Sequence, residues 1–429
     1  MLFSARWTSL IILMSVFCLC ACDKSTGDPT GQLVEQRSTD GNVTTVRTIS
    51  GSIWGGVAHL VEEISIGDPE RGDAYLLALV QAIECDSERI YVLDQQIPII
   101  HIYDMQGEHL YDIGREGQGP GEYLGPRSLA LNPLDGNLYV RDDWGVRISI
   151  FTPQGEYVES WQLFGGWSFS RPMFFADDGR LYTPSYVNPN REGRNRRGSQ
   201  ISWGAEGALG DTLAEPEVNF EEWQLIAQIS ESITTVRYVP FSPRASWTYS
   251  RTREIIGGVS EGYHFEVHSP DGHLVVIERD CDPVQIVDEE ADWHERAMIA
   301  EMRDIQSGWA WNGRSIPPHK PSFDHFTADR SGRIWVWRPG PGMRVEGGVK
   351  DPLSSHDLYW EQNPLWIDTW MVDVFTYEGE FLGEVDLPLG FQFYPEPYIK
   401  DDIVIAHFID DQGMPYIKKY RLVLPDRVM

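Results

Sequence analysis

The chain has 429 residues, 41% of them hydrophobic, and a formal net charge of −30 from 35 basic and 65 acidic side chains. That length supplies a large core, and so acidic a surface repels nucleic-acid phosphates and anionic headgroups, which argues against nucleic acid as a partner. Aromatic residues make up 12% of the chain, including 16 Trp, so the body is not a disordered polymer.

At the N-terminus, Arg6 precedes an apolar run from Trp7 to Ala21. The run is shorter than the roughly 20 residues of a spanning helix and has the form of a secretory signal, residues 1–21. Leu19-Cys20-Ala21-Cys22 resembles the lipobox of bacterial lipoproteins. The resemblance implies cleavage before Cys22, acylation of that cysteine, and a lipid-anchored protein on the periplasmic or cell-surface side of the envelope. Residues 22–50, mostly polar, read as a flexible tether.

Beyond the tether, from residue 51 to 429, one pattern recurs. "HIYDMQGEHLYDIG" (101–114), "SIFTPQGEYVESWQL" (149–163), "HFEVHSPDGHLVVIER" (264–279) and "VDVFTYEGEFLGEVDL" (372–387) are hairpins with alternating apolar residues around a Gly-bearing turn. A second type alternates with them: "LVQAIECDSERIYVLD" (79–94), "SLALNPLDGNLYVRDD" (128–143), "MFFADDGRLYTPSYV" (173–187) and "FTADRSGRIWVW" (326–337). Two hairpins per period of about 40–50 residues are the pattern of a four-stranded propeller blade. Six blades are expected, over about 77–113, 127–164, 171–218, 234–280, 322–387 and from 391 onward. The last lacks an outer strand, which "AHLVEEISIG" (58–67) is expected to supply, closing the ring.

The stretches "LVEEISIG", "RIYVLD", "GREGQGPGEY", "RIWV", "DVFTYEGEFLGEVDLP" and "YRL" resemble the six-bladed propeller lipoproteins of bacteria, a group related to NHL-repeat proteins. The resemblance implies an all-β, six-bladed β-propeller closed by an N-terminal strand. It implies no particular activity.

In such a ring the short Asp-Gly and Gln-Gly turns share one face, here the bottom, and the blade crossovers and b–c loops share the top. The long segments gather on top: 188–200, 281–321 and 338–370. Long insertions on one face mark a binding surface. Within 281–321, "DEEADWHERAMIAEMRDI" (288–305) reads as a helix with acidic residues in its first turn. Its stripes are Trp293, Ala297 and Ala300, and Met298, Met302 and Ile305. It either packs over the rim or forms a lid on the pore.

"GREGQGPGEY" (114–123) is glycine-rich but lacks the Lys-Ser/Thr of a P-loop and places Glu122 where a dinucleotide fingerprint needs Gly. It reads as a crossover needing positive φ, with Arg115 or Arg127 pairing with Glu122. Arg191, Arg194, Arg196 and Arg197 cluster in one loop and suit an anionic ligand. Trp309, Trp311, Trp360 and Trp366 lie in long inserts, where indoles either stack on a ligand or pack in the core. Asp94, Asp142 and Asp143, at the ends of b strands, are weak metal candidates. The spacings H-x-x-x-H (His264, His268) and G-x-S-x-G (Gly258, Ser260, Gly262) each occur once, but in a hairpin sequence rather than on a helix or at a strand-to-helix turn, so neither has the context of a zinc helix or a nucleophile elbow. Cys85 and Cys281 fall on opposite faces and are expected to stay unpaired. The leading expectation is a monomeric envelope binding or scaffold module for a glycan or a peptide or protein ligand, without a cofactor. The alternative is a propeller-type hydrolase or lyase with a metal ion such as calcium at the pore.

Overall fold

The computed structural model describes residues 32–163, 172–187, 197–204, 207–345 and 365–425. Six antiparallel sheets stand around a ring. Strands a to d run Val80–Cys85, Arg89–Asp94, Ile99–Asp104 and His109–Ile113 in blade 1, and Pro126–Leu131, Leu138–Asp142, Arg147–Phe151 and Tyr157–Gln162 in blade 2. Blade 3 comprises Phe174–Phe175, Leu181–Val187, Arg197–Trp203 and Leu209–Ala214. Blade 4 comprises Ala245–Tyr249, Ile255–Val259, His264–His268 and Leu274–Arg279. Blade 5 comprises His325–Ala328, Arg333–Pro339, Trp370–Thr376 and Phe381–Asp386. Blade 6 has a to c at Tyr398–Lys400, Ile403–Ile409 and Pro415–Val423.

The fourth strand of blade 6 comes from the N-terminal side, as the sequence suggested. Val57–Ile66 pairs antiparallel with Pro415–Val423, from His59 opposite Val423 to Ile66 opposite Ile417. The same strand begins parallel to strand d of blade 5, Val57 opposite Glu384.

Packing between blades explains why the b strands read as almost unbroken apolar runs. Where neighbouring blades pack face to face, both sides of a strand are buried. Arg89–Asp94 is buried at every position but the first. Hydrophobic clusters fill the gaps: Trp335, Val374 and Tyr420 between blades 5 and 6, Ile83, Ile90 and Ile405 between 6 and 1, and Leu93, Leu129 and Val140 between 1 and 2.

The tether expectation for 22–50 needs correction from residue 34 onward. Val34–Asp40 and Val43–Ser50 form a hairpin, and its second strand pairs in parallel with strand d of blade 4, Val43 opposite Leu274 to Thr48 opposite Arg279. Thr44, Val46 and Thr48 are buried there, so threonine methyl groups do the packing usually given to valines. The chain then crosses the rim of blade 5, where Ile53 and Trp54 donate backbone hydrogen bonds to Phe381 and Leu382 at 3.1 and 2.8 Å. Residues 34–66 are thus a strap over the rims of blades 4, 5 and 6.

Two boundaries also differ. Blade 4 starts at Ala245, not near 234; Gln224–Ser230 and Ile233–Tyr238 form a separate hairpin. One Gln-Gly turn, at Gly413, joins strands b and c of blade 6 and so lies on the top. The helix, Asp288–Ile305, forms as expected, and both stripes are used. Met298, Met302 and Ile305 pack against Leu225, Ala227 and Trp309, while Trp293 and Ala297 pack against Trp366 and Ile367. The helix contributes nothing to the lining of the pore cavity, so it is a packed rim element and not a lid.

Candidate functional site

The inner a strands of all six blades surround a cavity of about 390 Å³ on the ring axis. Strand a enters from the top and leaves at the bottom turn, so residue order assigns each side chain to a level. Toward the top lie Gln81, Arg127, His325 and Tyr394. The Tyr394 hydroxyl donates to Gln81 Oε1 at 3.0 Å, and Tyr394 is 46% exposed at the mouth. Arg141 makes a buried two-point pair with Asp143, 2.6 and 2.9 Å.

His325 sits in an aromatic slot. Its ring stacks on Trp337 at 5.3 Å and lies 4.4 Å from Phe393. Nδ1 faces Asp324 Oδ2 at 3.1 Å, while the buried Nε2 has no hydrogen-bond partner in the protein. Gln200 Oε1, also on the cavity wall, is buried and without a partner. Both residues line the cavity, although these two atoms are themselves shielded from it.

The bottom half is charged. Arg330 donates to Glu84 Oε2 at 2.5 Å and lies over the Tyr398 ring, and Arg251 is 3.9 Å from Glu84 Oε1. Burial pulls the Arg251 guanidinium down to about 10, and Arg330 beside it adds to that effect. Glu396 keeps a partial opening to the pore but is enclosed by protein. That desolvation pushes its carboxyl up to about 7 against the pull of Arg330, with the Glu84 charge adding to the rise. A strongly shifted acid inside a cleft is a functional candidate.

Residues 70–182 match the model of the DUF5128 family, described as a 6-bladed beta-propeller. The protein is a six-bladed β-propeller. A crystal structure of a DUF4221 family member from Bacteroides vulgatus is 12% identical, with 86% of this chain and 98% of that one covered at a TM-score of 0.50. The virginiamycin B lyase of Staphylococcus aureus is 11% identical, with 85% and 99% covered at a TM-score of 0.40. At 12% identity the first of these likenesses shows the propeller fold alone. The sequence matches none of the curated proteins.

Most site residues expected from sequence have other roles in the propeller. Asp94 accepts from the backbone N–H groups of Ala78, Leu79 and Gln96, and Asp142 from those of Leu124, Gly125 and Gly145. Each therefore fastens the incoming crossover to its b strand, and its lone pairs are spent on that. Asp143 is committed to Arg141. None of the three lines the pore cavity. Trp309 is 3% exposed and donates to Ile226 O, and Trp311 donates to Arg314 O, so both pack under the helix. Trp366 packs against the helix stripe. Trp309 is core, and Trp311 and Trp366 are partly buried against it and the helix. Cys22, Arg191, Arg194, Arg196 and Trp360 lie outside the described residues, as does the side chain of Arg197. Cys85 and Cys281 are unpaired thiols, as expected.

In "GREGQGPGEY" the pairing partner of Glu122 is Arg115, Nε to Oε1 at 2.8 Å. Glu122 also accepts from Gly119 N–H at 2.8 Å, and that bond, followed by Arg115, holds its carboxyl below the usual range. Arg127 turns into the pore instead. Gly114 has φ +85, and a Cβ there would collide with the ring of Tyr123, which is fully buried. The glycines are spent on backbone geometry.

Sequence reasoning missed Glu84, Gln200, Arg251, His325, Arg330 and Glu396 as site residues. Arg251 and Arg330 belong to the a–b turns "SRTRE" and "DRSGR", which read as solvent turns. The available signal was their position: charges flanking an a strand face the axis.

Proposed function

We propose that this propeller is a lipid-anchored binding module of a bacterial cell envelope, and that its ligand, a glycan or a peptide segment, enters the top of the pore. The observation that carries this reading is a single cavity on the ring axis whose wall combines aromatic side chains (Phe393, Tyr394), His325 and the guanidinium groups of Arg127, Arg251 and Arg330. Sugars and peptides offer both hydrogen-bond donors and acceptors, with apolar faces for Tyr394 and Phe393. The lipid anchor rests on the signal-like run and on Cys22. Among the described residues no helix is long and apolar enough to cross a membrane.

Glu396 favours one second reading, acid–base chemistry on the bound ligand, because a carboxyl near 7 can hold or release a proton close to neutral pH. A calcium ion beside Glu84 and Glu396 would meet the charges of Arg251 and Arg330, which disfavours the metal version of that reading.

A glycan and peptide array tests the proposal with the purified full-length protein and its Arg127→Ala and Tyr394→Ala variants. The expected result is a class of hits that both variants weaken. Hits indifferent to both variants refute the pore as the site. Turnover of a hit that Glu396→Gln abolishes would establish the second reading. The anchor is tested separately: Cys22→Ala should move the protein from the detergent to the aqueous phase.

A further inference from the structure

Away from the pore, strands c and d of blade 1 bring two imidazoles and a carboxylate onto one point. His101 Nδ1 and His109 Nε2 lie 2.9 and 2.8 Å from the same oxygen, Asp112 Oδ1. Among the described residues this is the one group of three His, Cys, Asp or Glu side chains whose ligand atoms converge, all within 4.8 Å of one another.

The backbone explains how. His109 and Asp112 are three apart on one strand and would ordinarily point to opposite faces. The register pairs His101 with Asp112 and Ile102 with Tyr111, but Tyr103 with His109, so Leu110 is an extra, bulged residue. The bulge turns His109 back to the face of His101, Tyr103 and Asp112, and ring contacts among the two histidines and Tyr103 confirm the shared face. Re-aiming a side chain is a common role of such bulges.

The other blades show that the fold does not require these residues. Blade 2 has the same bulge and fills the equivalent positions with Ser149, Tyr157 and Ser160, joined by hydroxyl hydrogen bonds of 3.1 and 3.0 Å. Blade 5 puts Asp373 opposite Glu384 there and seats the cationic guanidinium of Arg279 against both, at 2.6 Å each. The slot thus holds a cation between its ligands in blade 5. In blade 1 the nearby cation Arg71 is turned away, stacked on Tyr75 and paired with Glu108 at 2.7 Å.

We propose that His101, His109 and Asp112 bind a divalent transition-metal ion of the zinc type on the rim of blade 1. Two imidazole nitrogens and a carboxylate oxygen suit zinc, cobalt or nickel, whereas calcium and magnesium prefer all-oxygen sets. To coordinate, each imidazole presents a lone pair where it now faces Asp112. In a neutral ring the proton occupies the other nitrogen, and a protonated ring releases one proton. The side chains are 9%, 22% and 35% exposed, in the order His101, His109, Asp112, so the buried histidine fixes the site and the other two open it to solvent. Ligand bonds near 2.0–2.2 Å require a small rotation of His109 and Asp112, both at the surface. The remaining coordination positions are left to water.

The test is titration of the purified full-length protein with cobalt(II) chloride, followed by visible absorption, with zinc chloride as competitor. The expected result is one saturating equivalent, d–d bands without a thiolate charge-transfer band, and displacement by zinc. Removing a ligand should cost more than the roughly 10–100-fold seen for outer-shell partners. His109→Ala and Asp112→Asn should each weaken binding by at least that much, and Ser160→Ala in blade 2 should not. Both blade 1 positions are partly exposed, and matching thermal melts confirm that the variants fold. A thiolate band, no saturable binding, or unchanged affinity in His109→Ala overturns the proposal.

Discussion

Lys320 offers a sharp test of how the long top crossover is held. Its side chain is fully buried, with Nζ 2.8 Å from Glu290 Oε1, itself 2% exposed, and 2.7 Å from Asp368, which is 37% exposed. The ammonium also lies 4.7 Å from the ring centroid of Phe241. Glu290 is in the first turn of the helix, so this ion pair joins the helix to the crossover leading into blade 5. Lys320→Met leaves the Glu290 carboxylate buried without its cation, a change that costs about 3–5 kcal/mol. That is about a hundredfold to several-thousandfold in the folded-to-unfolded ratio. Asp368 can rehydrate, so the cost falls on Glu290. Urea unfolding followed by tryptophan fluorescence reads the loss. The double variant Lys320→Met with Glu290→Leu removes both charges and should return to within about 1 kcal/mol of the parent, because apolar replacements of buried ion pairs are commonly neutral or stabilising. A single variant that loses under about 1 kcal/mol, or a double variant no better than the single, refutes this account.

Glu396 gives a pH prediction. Its carboxyl is raised to about 7 in the fold, against about 4.3 in an unfolded chain, so the folded state holds the extra proton between those values. Stability should therefore fall as pH rises through that window, and the fall should vanish in Glu396→Gln. His294 works in the opposite sense, since burial lowers its imidazole to about 4 and stability is lost as pH falls from about 6.5 toward 4. The informative measurement is the wild-type minus variant difference at pH 5 and 8; equal differences at both refute the assignment. For the strap, Val46→Ala should cost about 1–3 kcal/mol, because Val46 is fully buried against Gly379 and Ile277. Hydrogen exchange should show slow amides over 43–48 in the wild type; fast exchange with no stability loss would restore the flexible tether.

The ring was legible because its signals are local and repeated. A strand, a Gly turn and a second strand recur often enough to count blades, and Asp94 and Asp142 recur because each must fasten a crossover. The strap was missed although Asp40-Gly41 marks a hairpin and "VTTVRTIS" is rich in β-branched residues. Threonine scores as polar, and only the neighbouring strand reveals that Thr44 and Thr48 are buried. The segment 224–238 has strand character, and nothing local says that it pairs apart from blade 4. The pore was illegible for a similar reason. Arg251 and Arg330 look like any turn arginines until six a strands bring them to one axis. Trp309 has the same composition signal whether it meets a sugar or Ile226.

The strap changes where the ring can come apart. A ring closed by a single terminal strand has its seam at the very place where a fraying end opens first. Here the closing strand is residues 57–66, but the chain ahead of it is already engaged twice. An N-terminus peeling away must first strip 43–48 from blade 4 and then release 53–54 from blade 5. Only after that does it reach blade 6. From that end the seam of this ring is therefore the last part to open, a latch behind two others.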